Sequence, residues 1–280
     1  MRNTILFKEK LSDDVCSFIV EHPEIARHYE PGQFVIVRVH EKGERIPLTI
    51  VDADPQQGTI RLVVQAVGLT SRLMNELNEG DRLLDLLGPL GEPFHLPQKA
   101  EKVLFVGGGL GIAPLYPKVK DFKYESHVIL GAKDARHLIL QKEMAAAAVR
   151  LELCTDDGSL GRKGFVTDCM DALFSEGESY DACVAIGPLV MMKAVVEKNK
   201  AIGLPTFVSL NPIMVDGTGM CGGCRFEYDG EVKFACVDGP VFDGFKVNFH
   251  DLLIRSRQYE KHECRALSQY KERQKSKGAE

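Results

Sequence analysis

The chain has 280 residues, of which 44% are hydrophobic, and its 35 basic and 40 acidic residues give a net charge of -5. A chain of this length buries most of its unfolded surface without disulfide bonds, so its cysteines are expected to be reduced, in a cytoplasmic protein. The charges form no basic stripe and no apolar segment is long enough to span a bilayer, which excludes nucleic acid and a membrane as expected partners.

Residues 1–97 are expected to form the first domain, in which residues 4–66 alternate short β-type runs with turn signals. The runs at 34–39, 48–51 and 60–67 are dominated by β-branched and aliphatic side chains. Their spacing predicts an antiparallel β-barrel. One helix is expected within this region, over residues 70–77.

Residues 98–210 change to a repeat of strand, turn and helix, which is typical of a parallel α/β sheet. Apolar runs predict its strands at residues 103–106, 128–131, 151–155, 182–186 and 206–210. About five strands are enough for one dinucleotide-binding half of a doubly wound sheet. We therefore expect a Rossmann-like nucleotide domain after the barrel.

The first of these strands runs into a glycine-rich loop. Such a loop lets the backbone approach a pyrophosphate, and the following helix presents N–H groups to it. The strict GxGxxG pattern is not met, because Ile112 stands where its last glycine would fall, so a tight strand–helix connection without a ligand is the alternative. The candidate NAD(H) residues here are Gly107, Gly108, Gly109, Gly111 and Pro114.

Two later strand ends support a nucleotide site, because ligands of open α/β sheets bind beyond the carboxyl ends of the strands. The candidate NAD(H) residues at these ends are Asp156, Asp157, Gly187 and Pro188. The carboxylates would accept from a ribose hydroxyl and repel a 2′-phosphate, which favours NAD over NADP. The positive charges of Lys133 and Arg136 could offset this preference. The alternative for Asp156 and Asp157 is a solvated Asp-Asp-Gly turn that binds no ligand.

Residues 211–250 hold three cysteines and an aspartate in the spacing Asp-x4-Cys-x2-Cys-x11-Cys. This is close to the arrangement that holds a plant-type 2Fe-2S cluster, with oxygen in place of sulfur at the first position. Neighbouring glycines leave the backbone free to wrap a cluster and to direct N–H groups at its sulfurs. The predicted ligands are Asp216, Cys221, Cys224 and Cys236.

Other chemistry fits the same residues. Three cysteines and an aspartate would also suit zinc, and the Cys-Gly-Gly-Cys segment alone would suit a dithiol redox pair. Asp216 precedes a glycine, so its side chain could simply face solvent in a turn. Outside this region, Cys16, Cys154, Cys169 and Cys183 lie in apolar stretches and are interpreted as small hydrophobic residues. Residues 251–280 are interpreted as a charged, solvated helix or tail.

The order of barrel, glycine-rich α/β domain and cluster module resembles the ferredoxin-NADP reductase superfamily, and most closely the electron-transfer subunit of dihydroorotate dehydrogenase. The segment from Arg45 to Thr49 resembles the family's flavin motif, and the segment from Gly68 to Ser71 resembles its second phosphate-binding turn. The resemblance implies that these two segments bind FAD, through Arg45, Pro47, Leu48, Thr49, Gly68, Thr70 and Ser71. It implies catalysis by the cofactors and assigns no catalytic side chain.

Asp216 departs from the dihydroorotate dehydrogenase subunits, which have cysteine there, and is similar to the small subunit of the NADH-dependent reduced ferredoxin:NADP oxidoreductase. That resemblance implies an enzyme subunit that passes electrons between NAD(H), FAD and a 2Fe-2S cluster. It also implies a larger flavoprotein partner with 4Fe-4S clusters and a second FAD, which handles NADP and ferredoxin in electron bifurcation. An electron-transfer subunit of dihydroorotate dehydrogenase, a hydrogenase or a sulfide dehydrogenase is the alternative, and a zinc-binding scaffold is the alternative from another class.

Overall fold

The computed structural model describes residues 2–121 and 124–277, and the end of the predicted tail, 278–280, lies outside that description. Within it, the chain forms a six-stranded sheet, a seven-stranded sheet and a separate two-stranded hairpin. The first sheet comes from the predicted barrel region and the second from the predicted α/β region, so both parts of the predicted fold class are confirmed.

The barrel sheet is antiparallel throughout, in the order β1-β2-β5-β4-β3-β6. Its strands are β1 (Ile5–Lys10), β2 (Val15–Glu21), β3 (Phe34–Arg38), β4 (Arg45–Asp54), β5 (Thr59–Gln65) and β6 (Asp85–Leu90). The two ends of this order meet, because Thr4 bridges Arg82 and the Ile5 N–H donates to the Asp81 carbonyl at 2.9 Å. The sheet therefore closes, which removes the exposed edges of an open sheet.

Apolar side chains fill the barrel. Phe18, Ile50 and Leu62 point into its centre and are fully buried. Two helices cover the ends, α1 (Pro23–His28) and α2 (Leu69–Glu76). The helix predicted over 70–77 is α2, one residue earlier, which is within the usual uncertainty of a helix boundary.

The second sheet carries the nucleotide domain. Its first strands are β7 (Lys102–Gly108), β8 (Glu125–Ala132), β9 (Arg150–Thr155), β10 (Arg162–Lys163), β11 (Ala182–Ile186) and β12 (Thr206–Ser209). These pair in parallel, and four helices connect them, namely α3 (Ile112–Asp121), α4 (Gln141–Ala147), α5 (Val166–Ser175) and α6 (Leu189–Ile202). β7 lies at the centre, as its continuous apolar run predicts.

The expectation of about five strands in this sheet was too low, since it has seven. One addition is β10, whose two residues are exposed and therefore give no apolar signal. The other is β15 (Val241–Asp243), which lies in the cluster region and pairs antiparallel with β12. Three residues between Pro240 and Gly244 carry too little periodicity to predict a strand.

The rest of the cluster region packs as a small unit against the same sheet. Its elements are the hairpin strands β13 (Arg225–Tyr228) and β14 (Glu231–Phe234) and the helix α7 (Phe249–Ser256), which is followed by α8 (Glu260–Lys277). Phe226 and Phe242 share one hydrophobic core with Val208 of β12. α8 runs back towards the barrel, where Tyr270 hydrogen-bonds Glu76 at the end of α2.

Candidate functional site

A cavity of about 860 Å³ lies between the barrel and the carboxyl ends of the parallel strands. The barrel side contributes Pro47, Leu48 and Thr49 from β4. The opposite side contributes the predicted nucleotide residues Gly108, Gly109, Gly111, Pro114, Asp156, Gly187 and Pro188. The volume lies in the range of cofactor pockets. Residues predicted to bind FAD and residues predicted to bind NAD(H) line this same cavity.

The glycine loop bends sharply from β7 into α3. Gly109 has φ +55° and open space around its missing side chain. A side chain at Gly111 would instead overlap the Ile186 carbonyl, because the start of α3 passes directly against the end of β11. Gly107, which does not line the cavity, packs under Ile112 and Leu115. Gly109 is thus the glycine that leaves room for a ligand, and Gly111 and Gly107 permit close packing.

The two aspartates after β9 have different surroundings. Asp156 lines the cavity and is exposed to it. Asp157 accepts hydrogen bonds from the Ser159 hydroxyl at 2.6 Å and the Ser159 N–H at 2.9 Å, and these bonds lower the pKa of Asp157. The Asp157 carboxylate is therefore engaged in the turn that the sequence offered as the alternative, and Asp156 is the one available to a ligand.

The remaining predicted flavin residues lie outside the cavity lining. Arg45 is exposed, with its guanidinium 3.9 Å from the Asp85 carboxylate. Thr70 and Ser71 are buried in the first turn of α2. The Ser71 hydroxyl accepts from the N–H groups of Val67 and Gly68 at 3.1 and 3.0 Å, which holds the turn before α2 in shape. The free N–H groups of that helix end are suited to a phosphate.

The four predicted cluster ligands fall into two pairs. The sulfurs of Cys224 and Cys236 lie 3.1 Å apart, and both residues are buried. Asp216 accepts from the N–H of Cys221 at 2.6 Å and from the N–H of Thr218 at 2.8 Å. The bond from the Thr218 N–H is the main reason that the pKa of Asp216 lies below its usual value, so the carboxylate is ionised.

This two-and-two arrangement fits a binuclear centre, in which each iron takes two protein ligands. Over residues 2–121 and 124–277, no three His, Cys, Asp or Glu side chains are placed to hold one metal ion. A single zinc ion needs four ligands around one point, so the observed pairing suits it less. The Gly223 N–H also points at the Cys221 sulfur at 3.4 Å, as expected for a thiolate ligand.

The cluster region reaches the cavity. Asn211, Met214 and Pro240 line it, and Met214 belongs to the same hydrophobic core as Cys224 and Cys236. On the barrel side, a side chain at Gly217 would meet Ile36 of β3 and Leu90 of β6. The backbone beside the predicted ligands is thus packed directly on the barrel that carries the flavin motif.

Among the cavity residues that were not predicted are Phe165 and His137, and Lys133, which the sequence indicated could offset the NAD preference, also lines the cavity. Phe165 is 65% exposed although aromatic, and it stands before α5 at the cavity mouth. Lys133 follows β8, and the His137 ring nitrogen Nδ1 lies 2.7 Å from the Asp134 carboxylate, which lowers the pKa of Asp134 to about 2. The positions of Phe165 and His137 after strand ends are the signal in the sequence that would have identified them.

Comparison with known proteins agrees with this architecture. Residues 3–95 match the oxidoreductase FAD-binding domain, and residues 211–248 match the iron-sulfur cluster binding domain of dihydroorotate dehydrogenase B. A Thermotoga maritima protein named dihydroorotate dehydrogenase B (NAD(+)), electron transfer subunit homolog is 48% identical over 93% of each chain. The chain belongs to this electron-transfer subunit family. A Geobacillus thermodenitrificans protein named dihydroorotate dehydrogenase B (NAD(+)), electron transfer subunit is 32% identical over 86% of this chain and 95% of its own.

Among solved structures, the NADH-dependent reduced ferredoxin-NADP oxidoreductase, studied for flavin-based electron bifurcation, matches with a TM-score of 0.91. It is 44% identical and covers 96% of this chain and 98% of its own. Phthalate dioxygenase reductase, at 21% identity and a TM-score of 0.56, shares the fold over 71% of this chain and 64% of its own. As a family member, the protein is an electron-transfer oxidoreductase subunit with FAD, an iron-sulfur cluster and NAD(H) as cofactors. Residues 2–121 and 124–277 contain no helix long and apolar enough to cross a membrane.

Proposed function

We propose that this chain is the small subunit of an NADH-dependent reduced ferredoxin:NADP oxidoreductase and takes part in electron bifurcation. The observation that carries the proposal is Asp216, the oxygen donor at the first cluster position, beside three cysteines. The 44% identical structural match over nearly the whole chain supports the same assignment. The proposal places 2Fe-2S ligation on Asp216, Cys221, Cys224 and Cys236.

The proposed residues would form three sites, one each for the nicotinamide, the flavin and the 2Fe-2S cluster. A nicotinamide supplies hydride, FAD exchanges two electrons for single ones, and a 2Fe-2S centre carries one electron. Pro47, Leu48 and Thr49 would position the flavin ring at the cavity wall, with Arg45 and the start of α2 holding its phosphates. The glycine loop facing β4 would hold the dinucleotide so that its nicotinamide meets the flavin.

Asp156 would make the site prefer NAD(H). Its carboxylate lines the cavity after the third parallel strand of the domain, where a ribose hydroxyl would donate to it. Lys133 lines the same cavity and is a cation that would favour a 2′-phosphate. Asp157 supports the turn that aims Asp156 and does not itself contact the ligand.

The chain would act with a larger subunit that carries 4Fe-4S clusters and a second FAD, and binds NADP and ferredoxin. Exposed apolar side chains surround the predicted cluster, with Met220 at 89% exposure and Val215 and Val237 at more than 40%. Such a patch beside a redox centre suits a protein partner. Residues 219–242 are therefore the surface through which electrons would pass between the two subunits.

Reconstitution tests this proposal. The purified chain should oxidise NADH with ferricyanide as acceptor but should not reduce NADP with reduced ferredoxin until the larger flavoprotein is added. Met220→Asp should weaken assembly with that partner and leave the ferricyanide activity unchanged, and Val149→Asp, at an exposed valine between α4 and β9 and outside this surface, is the matched control. Full ferredoxin:NADP activity from the single chain would overturn the proposal.

A second candidate is an electron-transfer subunit of dihydroorotate dehydrogenase, which the name of the 48% identical relative favours. Native purification distinguishes the two. A co-purifying iron-sulfur flavoprotein supports the first candidate, and a dihydroorotate-oxidising flavoprotein supports the second.

A further inference from the structure

One peptide group in the loop from Cys221 to Cys224 is held by a contact on each of its two sides. The N–H of Gly223 points at the Cys221 sulfur at 3.4 Å. The carbonyl oxygen of the same peptide group, which belongs to Gly222, accepts from the Arg225 guanidinium at 2.9 Å. The N–H and the C=O of a planar trans peptide group point in opposite directions, so a bond that fixes one of them also fixes the other. Arg225 therefore holds this N–H towards the sulfur.

The hairpin places Arg225 on the outer side of the loop. Arg225 is the first residue of β13 and pairs with Phe234, the last residue of β14. The ladder continues to Cys224, whose carbonyl accepts from the Ala235 N–H at 3.2 Å. Successive side chains of an extended chain point to opposite faces, and Cys224 is accordingly buried whereas Arg225 is exposed. The guanidinium thus lies on the solvent side of the loop, 4.0 Å from the place where a Cβ on Gly222 would stand.

We propose that Arg225 is a positioning residue that raises the reduction potential of the 2Fe-2S cluster, by directing the Gly223 N–H at the Cys221 sulfur and by its own positive charge. A 2Fe-2S centre gains one negative charge on reduction, so a nearby cation and an N–H donor to a ligand sulfur both favour the reduced form. The guanidinium also polarises the peptide group whose carbonyl it binds, which strengthens the N–H on the other side. This inference rests on the proposed ligation of the cluster by Cys221.

The loop does not depend on the Arg225 side chain alone. The backbone N–H of Arg225 lies 3.4 Å from the same Gly222 carbonyl, and a substitution at this position leaves that contact in place. Arg225→Gln should therefore keep the cluster and change its potential. Arg225→Lys keeps the positive charge but has no planar guanidinium to bind the carbonyl in the same geometry. Its potential should lie between those of the wild type and Arg225→Gln.

The experiment is an EPR-monitored redox titration of the full, cofactor-loaded protein, with iron and sulfide analysis of each sample. At the wild-type midpoint, the ratio of reduced to oxidised cluster should be about three- to tenfold lower in Arg225→Gln, and tenfold corresponds to about 59 mV for a one-electron couple. Lys246→Gln is the matched control. It also removes one positive charge from the cluster region, but Lys246 pairs with Asp229 at 3.8 Å, at the other end of the hairpin. Its midpoint should equal that of the wild type.

An unchanged midpoint in an Arg225→Gln protein that retains its iron and sulfide would overturn the inference and leave the proposed function intact. Equal shifts in Arg225→Gln and Lys246→Gln would also overturn it, because the position of the charge would then be irrelevant. If Arg225→Gln loses the cluster, Arg225→Lys decides. A retained cluster with a lowered midpoint supports the inference, whereas cluster loss or an unchanged midpoint in that variant overturns it. A wild-type chain without iron and sulfide would contradict the proposed function and this inference together.

Discussion

Lys118 is a fully buried lysine in the middle of α3, at the contact between the barrel and the nucleotide domain. Its ammonium nitrogen lies 3.5 Å from the Pro114 carbonyl and 5.7 Å from the centre of the Phe94 ring. Burial in these apolar surroundings lowers the pKa of Lys118 from 10.5 to about 7. Between pH 7 and 10.5, Lys118 is therefore protonated in a smaller fraction of folded molecules than of unfolded molecules.

This difference predicts a pH dependence of stability. Between pH 7 and 10.5 the unfolded chain binds the extra proton, so the contribution of Lys118 to the free energy of unfolding rises with pH, and below pH 7 its full penalty is present. Lys118→Met should raise the free energy of unfolding by roughly 1–3 kcal/mol at pH 7 and by much less near pH 10. Urea unfolding at both pH values measures this, with Lys120→Met, which breaks the surface pair with Asp52, as control. An equal gain at both pH values would contradict the pKa shift.

The glycine loop allows ligand contact to be separated from packing. Gly109→Ala adds a methyl group in open space at positive φ, so we expect a strain of about 1–2 kcal/mol and a higher KM for NADH. Gly111→Ala forces a methyl group onto the Ile186 carbonyl and should lower the melting temperature first. Steady-state kinetics and thermal unfolding of both variants test this. A KM for NADH equal to that of the wild type, in a stable Gly109→Ala protein, would show that the loop does not contact the nucleotide.

Asn substitutions of the neighbouring residues Asp156 and Asp157 form a matched pair of variants that tests which carboxylate sets the preference for NADH over NADPH. Asp156→Asn should reduce the preference for NADH over NADPH by about tenfold, since the lost charge no longer repels a 2′-phosphate. Asp157→Asn should weaken the turn with Ser159 but leave the preference largely unchanged. Stopped-flow reduction of the flavin by each nucleotide gives the ratio. If only Asp157→Asn changes it, the assignment of the two residues is reversed.

At the scale of elements, the strand β15 joins the cluster region to the nucleotide sheet. Phe242 in β15 lies opposite Val208 of β12, and its ring centre is 4.8 Å from Phe226 and 5.4 Å from Tyr228. Burial of one aromatic ring between a sheet and a hairpin couples the folding of both. The two regions should therefore unfold together.

Phe242→Ala should cost about 3–5 kcal/mol and lower the thermal midpoints of cluster loss and of the nucleotide domain alike. Cluster absorbance and circular dichroism follow the two events in one scan. Val232→Ala, on the exposed side of the hairpin, is the control and should change little. Loss of the cluster well before the sheet unfolds would show that the two regions are independent.

The elements that the sequence predicts well are those with strong local patterns. The buried runs of β7, β8 and β11 were predicted because each contains a continuous apolar stretch, whereas β9 and β12 are mixed and were predicted from their shorter apolar runs within the alternation of strands and helices. β10 and β15 were missed because their pairing depends on distant residues and not on their own two or three side chains. The contact between Tyr270 and Glu76 was missed for the same reason, since it joins positions 194 residues apart.

For the site, residue type and spacing indicated the ligands, but not which of them is available. The spacing predicted four cluster ligands, and only the structure shows Cys224 beside Cys236 and Asp216 beside Cys221. The different roles of Asp156 and Asp157 likewise became visible only in the structure, because the sequence does not show that Asp157 accepts a hydrogen bond from Ser159. Phe165 was missed because a lone aromatic residue before a helix predicts core packing as readily as a ligand contact.

On the scale of the whole molecule, three modules meet at one cavity. The barrel, the nucleotide sheet and the cluster region each contribute to its wall, and the apolar core runs from Met214 to Cys224 and Cys236 without a break. Electrons entering from a nicotinamide would therefore stay in a dry interior until they reach the exposed surface around Met220. We infer that the last electron carrier on this path is a 2Fe-2S cluster with Asp216 as a ligand.

The most direct test combines metal and sulfide analysis with EPR of the anaerobically purified, dithionite-reduced chain, in the wild type and in Asp216 variants. We expect about two iron and two sulfide per chain in the wild type. Asp216→Cys should keep the cluster with a shifted EPR spectrum, and Asp216→Ala should lose most of it. Zinc without sulfide, or an Asp216→Ala protein whose iron content and spectrum equal those of the wild type, would contradict the account.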